Sequence, residues 1–256
     1  MSREHGELLP HVRGAAVRAG RLLVAPDELL EVRLALHAHV LVDRHRFGSL
    51  GRSPDGPQIW SNEPVWDDLA TRLEGRLVVL EPLRRDHEDG LRTAAADERI
   101  WRFMLTDDRD AWLRATFDEA EAGVRVPFTI LASGVPVGST SYMSLAPEHL
   151  RLEIGSTWMN PSAWGTGANT EAKYLLLRHA FETLGCRRVE FKTDAQNERA
   201  RAALSALPAR FEGVHRKHML VRGGVRRDSA WYSVIDDEWP EVRTALELRL
   251  ATTPGR

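Results

Sequence analysis

The stretch richest in chemical content is MNPSAWGTGANTE, Met159 to Glu171. A strand-like run ends at Met159 and Pro161 stops it. Gly165 and Gly167 then lead into a helix that starts near Thr170. Glycine reaches backbone angles that a Cβ forbids and lets N–H groups approach a ligand closely. The first turn of a helix adds unpaired N–H donors and a partial positive charge. Together these features suit an anion, phosphate above all. The run is not a dinucleotide fingerprint, because Thr170 stands where the third glycine belongs. It is not a P-loop either, because Ala168 and Asn169 follow Gly167 with no Gly-Lys-Ser/Thr. On spacing alone it equally fits a plain strand-to-helix turn.

Other reactive side chains are sparse. Cys186 is the single Cys, so an internal disulfide and a Cys-rich zinc site are excluded. Following Gly185 at the start of a strand, it reads as a small buried hydrophobe. His37, His39, Asp43 and His45 contain metal-ligand types, but no spacing fixes a fourth ligand, and they read as surface or interface residues. A hydrolase built on His37, His39 and Asp43 is the most distant reading, and no metal is expected. Trp60, Trp66, Trp101, Trp112, Trp158, Trp164, Trp231 and Trp239 read mostly as core.

The chain that positions these residues has 256 residues, 35 basic and 37 acidic side chains, and a net charge of −2. A hydrophobic fraction of 43% excludes whole-chain disorder. No apolar run of about 18 residues offers a membrane-spanning helix, and MSREHGELLPHVRG lacks the apolar stretch of a secretory signal. Near-neutral charge gives no general attraction to nucleic acid or to membrane. The expectation is a cytoplasmic protein acting on something small or on another protein. Only Lys173, Lys192 and Lys217 of the 35 basic residues are Lys, a bias from which no function is read.

Residues 1–72 look different from the rest and form an extension of unknown role, with GSLGRSPDGP, Gly48 to Pro57, as a loop or linker. From Leu73 the pattern sharpens. RLVVL, Arg76 to Leu80, predicts a strand. Asp86 is a plausible N-cap for a helix through Ala96, and Asp110 to Ala122 reads as a second helix. Pro127 to Leu131 and Val135 to Tyr142 are strands around the hairpin signal Ser133-Gly134. Leu150 to Met159 is a third, with Leu152 and Ile154 facing one way and Arg151, Glu153 and Gly155 the other. A helix from Thr170 to Leu184, a strand from Arg188 to Thr193 and a helix from Asn197 to Leu207 follow. Strands Phe211 to Val221 and Asp228 to Val234 and a helical tail from Glu238 complete the chain. The order predicts an α+β fold with a mixed, mostly antiparallel sheet and one right-handed crossover.

In this setting the sequence resembles the GNAT (N-acetyltransferase) superfamily, in its ribosomal-protein N-acetyltransferase-like branch. The superfamily pattern is a strand, Val-x-Pro-x-x-Arg/Gln-x-x-Gly-x-Gly/Ala, and a helix. Met159, Pro161, Trp164, Gly167 and Asn169 stand at those places; Pro161 and Gly167 match, while Trp164 and Asn169 depart. Further resemblance lies in Glu171 to Asn197, Arg199 to Leu204 and Arg226 to Pro240. It implies a GNAT-like domain over 73–240, with 241–256 as a C-terminal helical tail and a splayed central strand pair.

The resemblance also implies acetyl-CoA as co-substrate, with its diphosphate on Trp164, Gly165, Thr166, Gly167, Ala168, Asn169 and Thr170. The pantetheine arm would lie between the parting strands, near Trp158, Met159 and Asn197, with a backbone N–H near Thr157 to Met159 polarising the acyl carbonyl. Asn197 is also a natural helix N-cap. An amine attacks directly, and the acceptor is a small-molecule amine or a protein N-terminus. Glu153 is the expected general base, against a plain solvated carboxylate or a partner of Arg151. Tyr232 is the nearest substitute by type for the missing acid on the Asn197 to Leu207 helix, against a core aromatic. Ala200 stands where the family has Ser. A homodimer is possible in such a family. The second reading is an acyl-CoA-binding regulatory module with little or no turnover.

Overall fold

A computed structural model describes residues 66–254. They build one sheet of eight strands: β1 (Leu73–Glu74), β2 (Val79–Pro82), β3 (Val126–Ala132), β4 (Val135–Ala146), β5 (Arg151–Met159), β6 (Arg188–Asp194), β7 (Arg210–Val221) and β8 (Val225–Ile235). Their order across the sheet is β1-β2-β3-β4-β5-β6-β8-β7. Five α-helices accompany them: α1 (Glu88–Ala94), α2 (Arg109–Glu121), α3 (Ala168–Arg178), α4 (Glu198–Ser205) and α5 (Trp239–Ala251). No helix among the described residues is long and apolar enough to cross a membrane.

Local sequence explains most boundaries. The β3–β4 hairpin turns on Ser133 and Gly134, both at positive φ (49° and 77°), as a two-residue turn of the favoured hand requires. Asp108 caps α2 by accepting from the N–H groups of Asp110 and Ala111. Two local expectations are corrected. Asp86 is no cap: it lies in a 3-10 turn, Arg85–His87, and its carboxylate accepts from Arg84 Nε. The RLVVL segment is not one strand. Gly75 to Val78 form a turn whose N–H groups at Arg76, Leu77 and Val78 point at the Glu171 carboxylate, at 2.9, 2.6 and 2.7 Å. A Cβ on Gly75 would stand 2.5 Å from that carboxyl group, so glycine lets the turn close on it. Leaving three such donors without an acceptor costs about 3 kcal/mol or more. Glu171→Ala is therefore expected to lower the unfolding free energy by about that amount, read from a urea or guanidinium transition; an unshifted midpoint would deny Glu171 this role.

The sheet buries both faces. On one, α3 and α5 cover Leu80, Phe128, Ile130, Tyr142, Leu152, Ile154 and Val189. The tail helix α5 belongs to this core rather than trailing from it, because Trp239, Val242 and Leu246 are buried in the same cluster. So do the described residues before Leu73: Trp66 and Leu69 pack on the cluster, and Trp66 Nε1 donates to Leu184 O at 2.9 Å. On the other face α1 and α2 pack around Trp101, Trp112 and Trp158, whose ring centroids are 5.4–6.1 Å apart.

Two irregularities position the site. Strands β5 and β6 run parallel and pair only from Arg151↔Arg188 to Glu153↔Glu190; beyond that point they part. Between Ser139↔Trp158 and Ser141↔Gly155, Thr140 of β4 faces two residues of β5, Ser156 and Thr157. This is a β-bulge, with Ser156 at φ 49°. One extra residue exchanges the two faces of a strand. Trp158 therefore joins the face that strict alternation gives to Glu153 and Gly155, while Met159 joins Leu152 and Ile154.

Candidate functional site

A cleft of about 920 Å³ begins at the glycine-containing loop and passes between the parting ends of β5 and β6. At its first end, Gly165 and Gly167 hold φ of 75° and 85°, in the left-handed region. The N–H groups of Gly165, Thr166 and Gly167 donate to no acceptor among the described residues. Gly167 is pinned: a Cβ there would lie 2.6 Å from Thr253 Cγ2 and 3.0 Å from Leu77 Cδ1. Gly165 faces open space, with nothing within 4 Å of an added Cβ.

Trp164 replaces the Arg or Gln of the superfamily pattern, and two guanidinium groups from other elements gather on it. Arg199 of α4 lies 3.6 Å from its ring centroid and Arg99 lies 5.4 Å away. Arg99 is paired with Asp97 at 2.7 Å. Arg199 has no acidic partner among the described residues, and burial together with Arg99 pushes its pKa below the usual guanidinium value. Free N–H groups, a helix start and an uncompensated cation together fit a diphosphate. Losing one charge-assisted contact costs about 1.4 kcal/mol or more. Arg199→Ala is thus expected to weaken coenzyme A binding about tenfold or more, measured by titration calorimetry; unchanged affinity would remove Arg199 from the diphosphate site.

Further along, Glu153 is 1% exposed yet lines the cleft. Its two oxygens are unequal. Oε2 accepts from Lys192 Nζ at 2.8 Å and from Ser144 Oγ at 3.0 Å. Oε1 accepts no hydrogen bond from the described residues, and a Cβ on Gly155 would sit 2.8 Å from it. Glycine at 155 thus keeps room beside the one free carboxylate oxygen. Lys192 also stands 5.5 Å from the Trp231 ring centroid.

Lys173, on α3, reaches the bulge. Its Nζ donates to Thr157 Oγ1 at 2.6 Å and to Thr140 Oγ1 at 3.2 Å. Burial pushes its pKa down to about 7, with the Glu153 charge opposing the shift. Burial pushes the Cys186 thiol up to about 12, in keeping with an inert core thiol.

Of the residues singled out from sequence, Glu153, Trp158, Met159, Trp164, Gly165, Gly167, Asn169, Thr170 and Asn197 line this one cleft. Thr166 and Ala168 lie in the same loop and helix start, where Thr166 Oγ1 donates to Ala163 O and Ala168 is buried. Asn197 serves as the N-cap of α4, its Oδ1 accepting from Ala200 N at 3.1 Å, while lining the cleft. Tyr232 is placed elsewhere. It is buried and absent from the cleft lining, with its hydroxyl accepting from Arg201 Nε at 3.2 Å and its ring against Phe211. The core-aromatic reading fits it, and the acid role is withdrawn. His37, His39, Asp43 and His45 lie outside the described residues. Sequence reasoning missed Lys173, Lys192, Arg199, Arg125 and Arg227, all of which line the cleft.

A half-open sheet whose central parallel pair parts beside a glycine loop is the architecture of the GNAT fold. The Acetyltransferase (GNAT) domain model matches residues 77–209, just over half of the chain. The chain belongs to the GNAT acetyltransferases. It is similar to a structure assigned to an acetyltransferase from T. thermophilus, at 43% identity and a TM-score of 0.64, over 70% of this chain and 96% of that one. It is also similar to a GCN5-related N-acetyltransferase from Brucella melitensis, at 31% identity and a TM-score of 0.68, over 76% and 91%. RimJ of Mycobacterium smegmatis, solved in complex with CoA-disulfide, shares the fold at 23% identity and a TM-score of 0.59, over 72% and 95%. None of the curated proteins matches the chain.

Proposed function

We propose that the protein moves an acetyl group from acetyl-CoA to a primary amine by direct attack. The observation that carries this reading is the continuity of one cleft. It leads from an uncompensated, N–H-rich loop, through the gap between β5 and β6, to the free Oε1 of a buried carboxylate. The diphosphate rests on Gly165 to Gly167 and the start of α3, with Arg199 beside it. The pantetheine arm takes up the strand pairing that β5 and β6 leave unmade. The backbone of Thr157 to Met159 then faces the thioester carbonyl.

The acceptor enters as an ammonium and gives a proton to Glu153 Oε1. Its lone pair forms the new C–N bond, the C–S bond breaks, and coenzyme A leaves as thiolate, which takes up the second proton shed by the acylated nitrogen. A fixed N–H at the carbonyl oxygen contributes roughly 3 kcal/mol, and alignment of amine and thioester supplies much of the remainder. Lys173, hydrogen-bonded to Thr157, places positive charge where negative charge develops. Lys192 and Ser144 fix Oε2 and so aim Oε1.

The test is thiol release from acetyl-CoA with a panel of primary amines, small molecules and peptides with free N-termini. Amine-dependent release with an acetylated product supports the reading. Tight binding of acetyl-CoA with no amine-dependent release supports the binding-module alternative and overturns this one.

A further inference from the structure

Arg227 is a buried cation of the cleft that makes no hydrogen bond among the described residues and has only a loose ion pair there. It projects from β8 opposite Met219 of β7, and both line the cleft. The side chain is 9% exposed, yet it donates no hydrogen bond among the described residues, and its Nε is buried without a partner. Its nearest acid is Asp194, whose Oδ2 stands 3.9 Å from Nε, beyond hydrogen-bond reach. The three cations on the Glu153 side of the cleft are held more closely. Lys192 holds Glu153 at 2.8 Å, Arg125 holds Glu119 at 3.0 Å, and Lys173 holds two threonine hydroxyls. A guanidinium keeps its charge in a protein, and a buried charge is well held only where its partner also satisfies its hydrogen bonds. An anion 3.9 Å from Nε leaves the N–H fork of Arg227 free to take a closer partner.

The place of Arg227 says which ligand. On β8 it shares a face with Ser229 and Trp231, since side chains two apart point the same way. Trp231 pairs across with Lys192, which grips Glu153. Arg227 and the proposed base therefore border one region of the cleft, away from the diphosphate loop. That region is covered. The β7–β8 turn reaches across to the segment between α1 and α2, where Arg222 meets Asp107 Oδ2 at 2.9 Å and Arg102 O at 3.3 Å. Met104, Leu105 and Met219 line the cleft with Arg227. A planar fork of N–H donors at the end of such a passage matches a carboxylate, which it can hold through two parallel hydrogen bonds.

We infer that the acceptor is an amine that also carries a carboxylate, bound by Arg227 while the amino group reaches Glu153. This rests on the transfer reading above and deepens it by naming the acceptor class. The carboxylate belongs either to a free amino acid or to the acidic residue of a short peptide.

The experiment compares matched acceptors with the full chain: amino acids against their amides, and Ala-Glu-amide against Ala-Gln-amide. The carboxylate-bearing member of the favoured pair is expected to show kcat/KM about tenfold higher or more, mainly through KM. The pair that responds distinguishes a free amino acid from a peptide. Arg227→Gln should bring that ratio close to one, with coenzyme A affinity and melting temperature held, and Arg227→Lys should retain part of the preference. Wild-type transfer to neutral and acidic members at equal rates would overturn the carboxylate site while leaving acetyl transfer standing. So would an undiminished ratio in a folded Arg227→Gln protein. Bound acetyl-CoA with no transfer to any amine would overturn the transfer reading and this inference with it.

Discussion

Glu153→Gln is expected to lower kcat/KM for acetyl transfer at neutral pH by about 10²–10⁴-fold, the usual worth of a positioned general base. The substitution is a narrow one. A glutamine can turn its carbonyl oxygen to the position of Oε2 and keep the hydrogen bonds from Lys192 and Ser144. Its amide nitrogen then falls at Oε1, beside Gly155, where it cannot take a proton from an ammonium. Coenzyme A affinity should stay at its wild-type value, because the diphosphate loop is untouched. The neutral amide leaves Lys192 without its anion, so a Glu153→Gln, Lys192→Met double variant separates the lost base from the stranded cation. If the loss comes from the base, the double variant stays as slow as the single one. Activity restored in the double variant, or a wild-type pH–rate profile in Glu153→Gln, would show that Glu153 takes no proton.

The parts of this site legible in the sequence are those that depend on local chain chemistry. Gly165 and Gly167 announce a loop at positive φ, and the structure puts both there. The alternation of Leu152, Glu153 and Ile154 predicts that Glu153 faces away from the other two, and in the structure Leu152 and Ile154 join the core cluster while Glu153 lines the cleft. The strands and helices after Leu73 follow periodicity closely, with boundaries shifted by a few residues. What stays hidden depends on distant chain segments. Nothing near Gly75 to Val78 tells that Glu171, about 95 residues on, collects their N–H groups and breaks a strand-like run into a turn. The bulge at Ser156 escapes because it is set by pairing with β4, and it moves Trp158 to the opposite face from the one alternation assigns. Trp164 looks like a lost cation in the sequence pattern, whereas Arg99 and Arg199 bring the charge from two other elements.

One overlooked signal was compositional. In a chain that uses Arg for nearly all its basic residues, Lys survives at 173, 192 and 217, and the first two line the cleft. Arginine stays charged and offers a wide planar fork, while lysine is a compact cation whose pKa falls readily on burial. Two cleft positions, one buried and one half-buried, that keep Lys against such a bias are positions where a small head group or a removable proton is of use. Lys217 shows the limit of the signal, because it is an exposed residue of β7 whose backbone N–H donates to Asp228.

Lys173→Met is expected to change both stability and rate in a pH-dependent way, because the buried ammonium has its pKa pushed from 10.5 down to about 7. Below about 7 the lysine is charged in the folded and the unfolded chain alike, and the full burial penalty weakens the fold. Between about 7 and 10.5 the folded chain holds it neutral while the unfolded chain still binds the proton. Unfolding then takes up a proton, so wild-type stability rises with pH across that window, by about 1.4 kcal/mol per pH unit where the difference is one whole proton. Above 10.5 both states are neutral and the penalty is gone. The methionine variant lacks this slope and gains most over wild type at the acid end of the window. Catalysis runs the other way. If the cation beside Thr157 compensates charge at the thioester, kcat in wild type falls as pH rises through about 7. Lys173→Met should lower kcat by about 10²-fold at neutral pH, in the range of a lost electrostatic donor, and should lose that alkaline decline. Denaturant transitions between pH 6 and 10 and single-turnover rates over the same range read the two effects separately. Parallel stability curves for the two proteins would show that Lys173 keeps its proton on folding. A variant whose rate still falls through the same pH would assign that fall to another group.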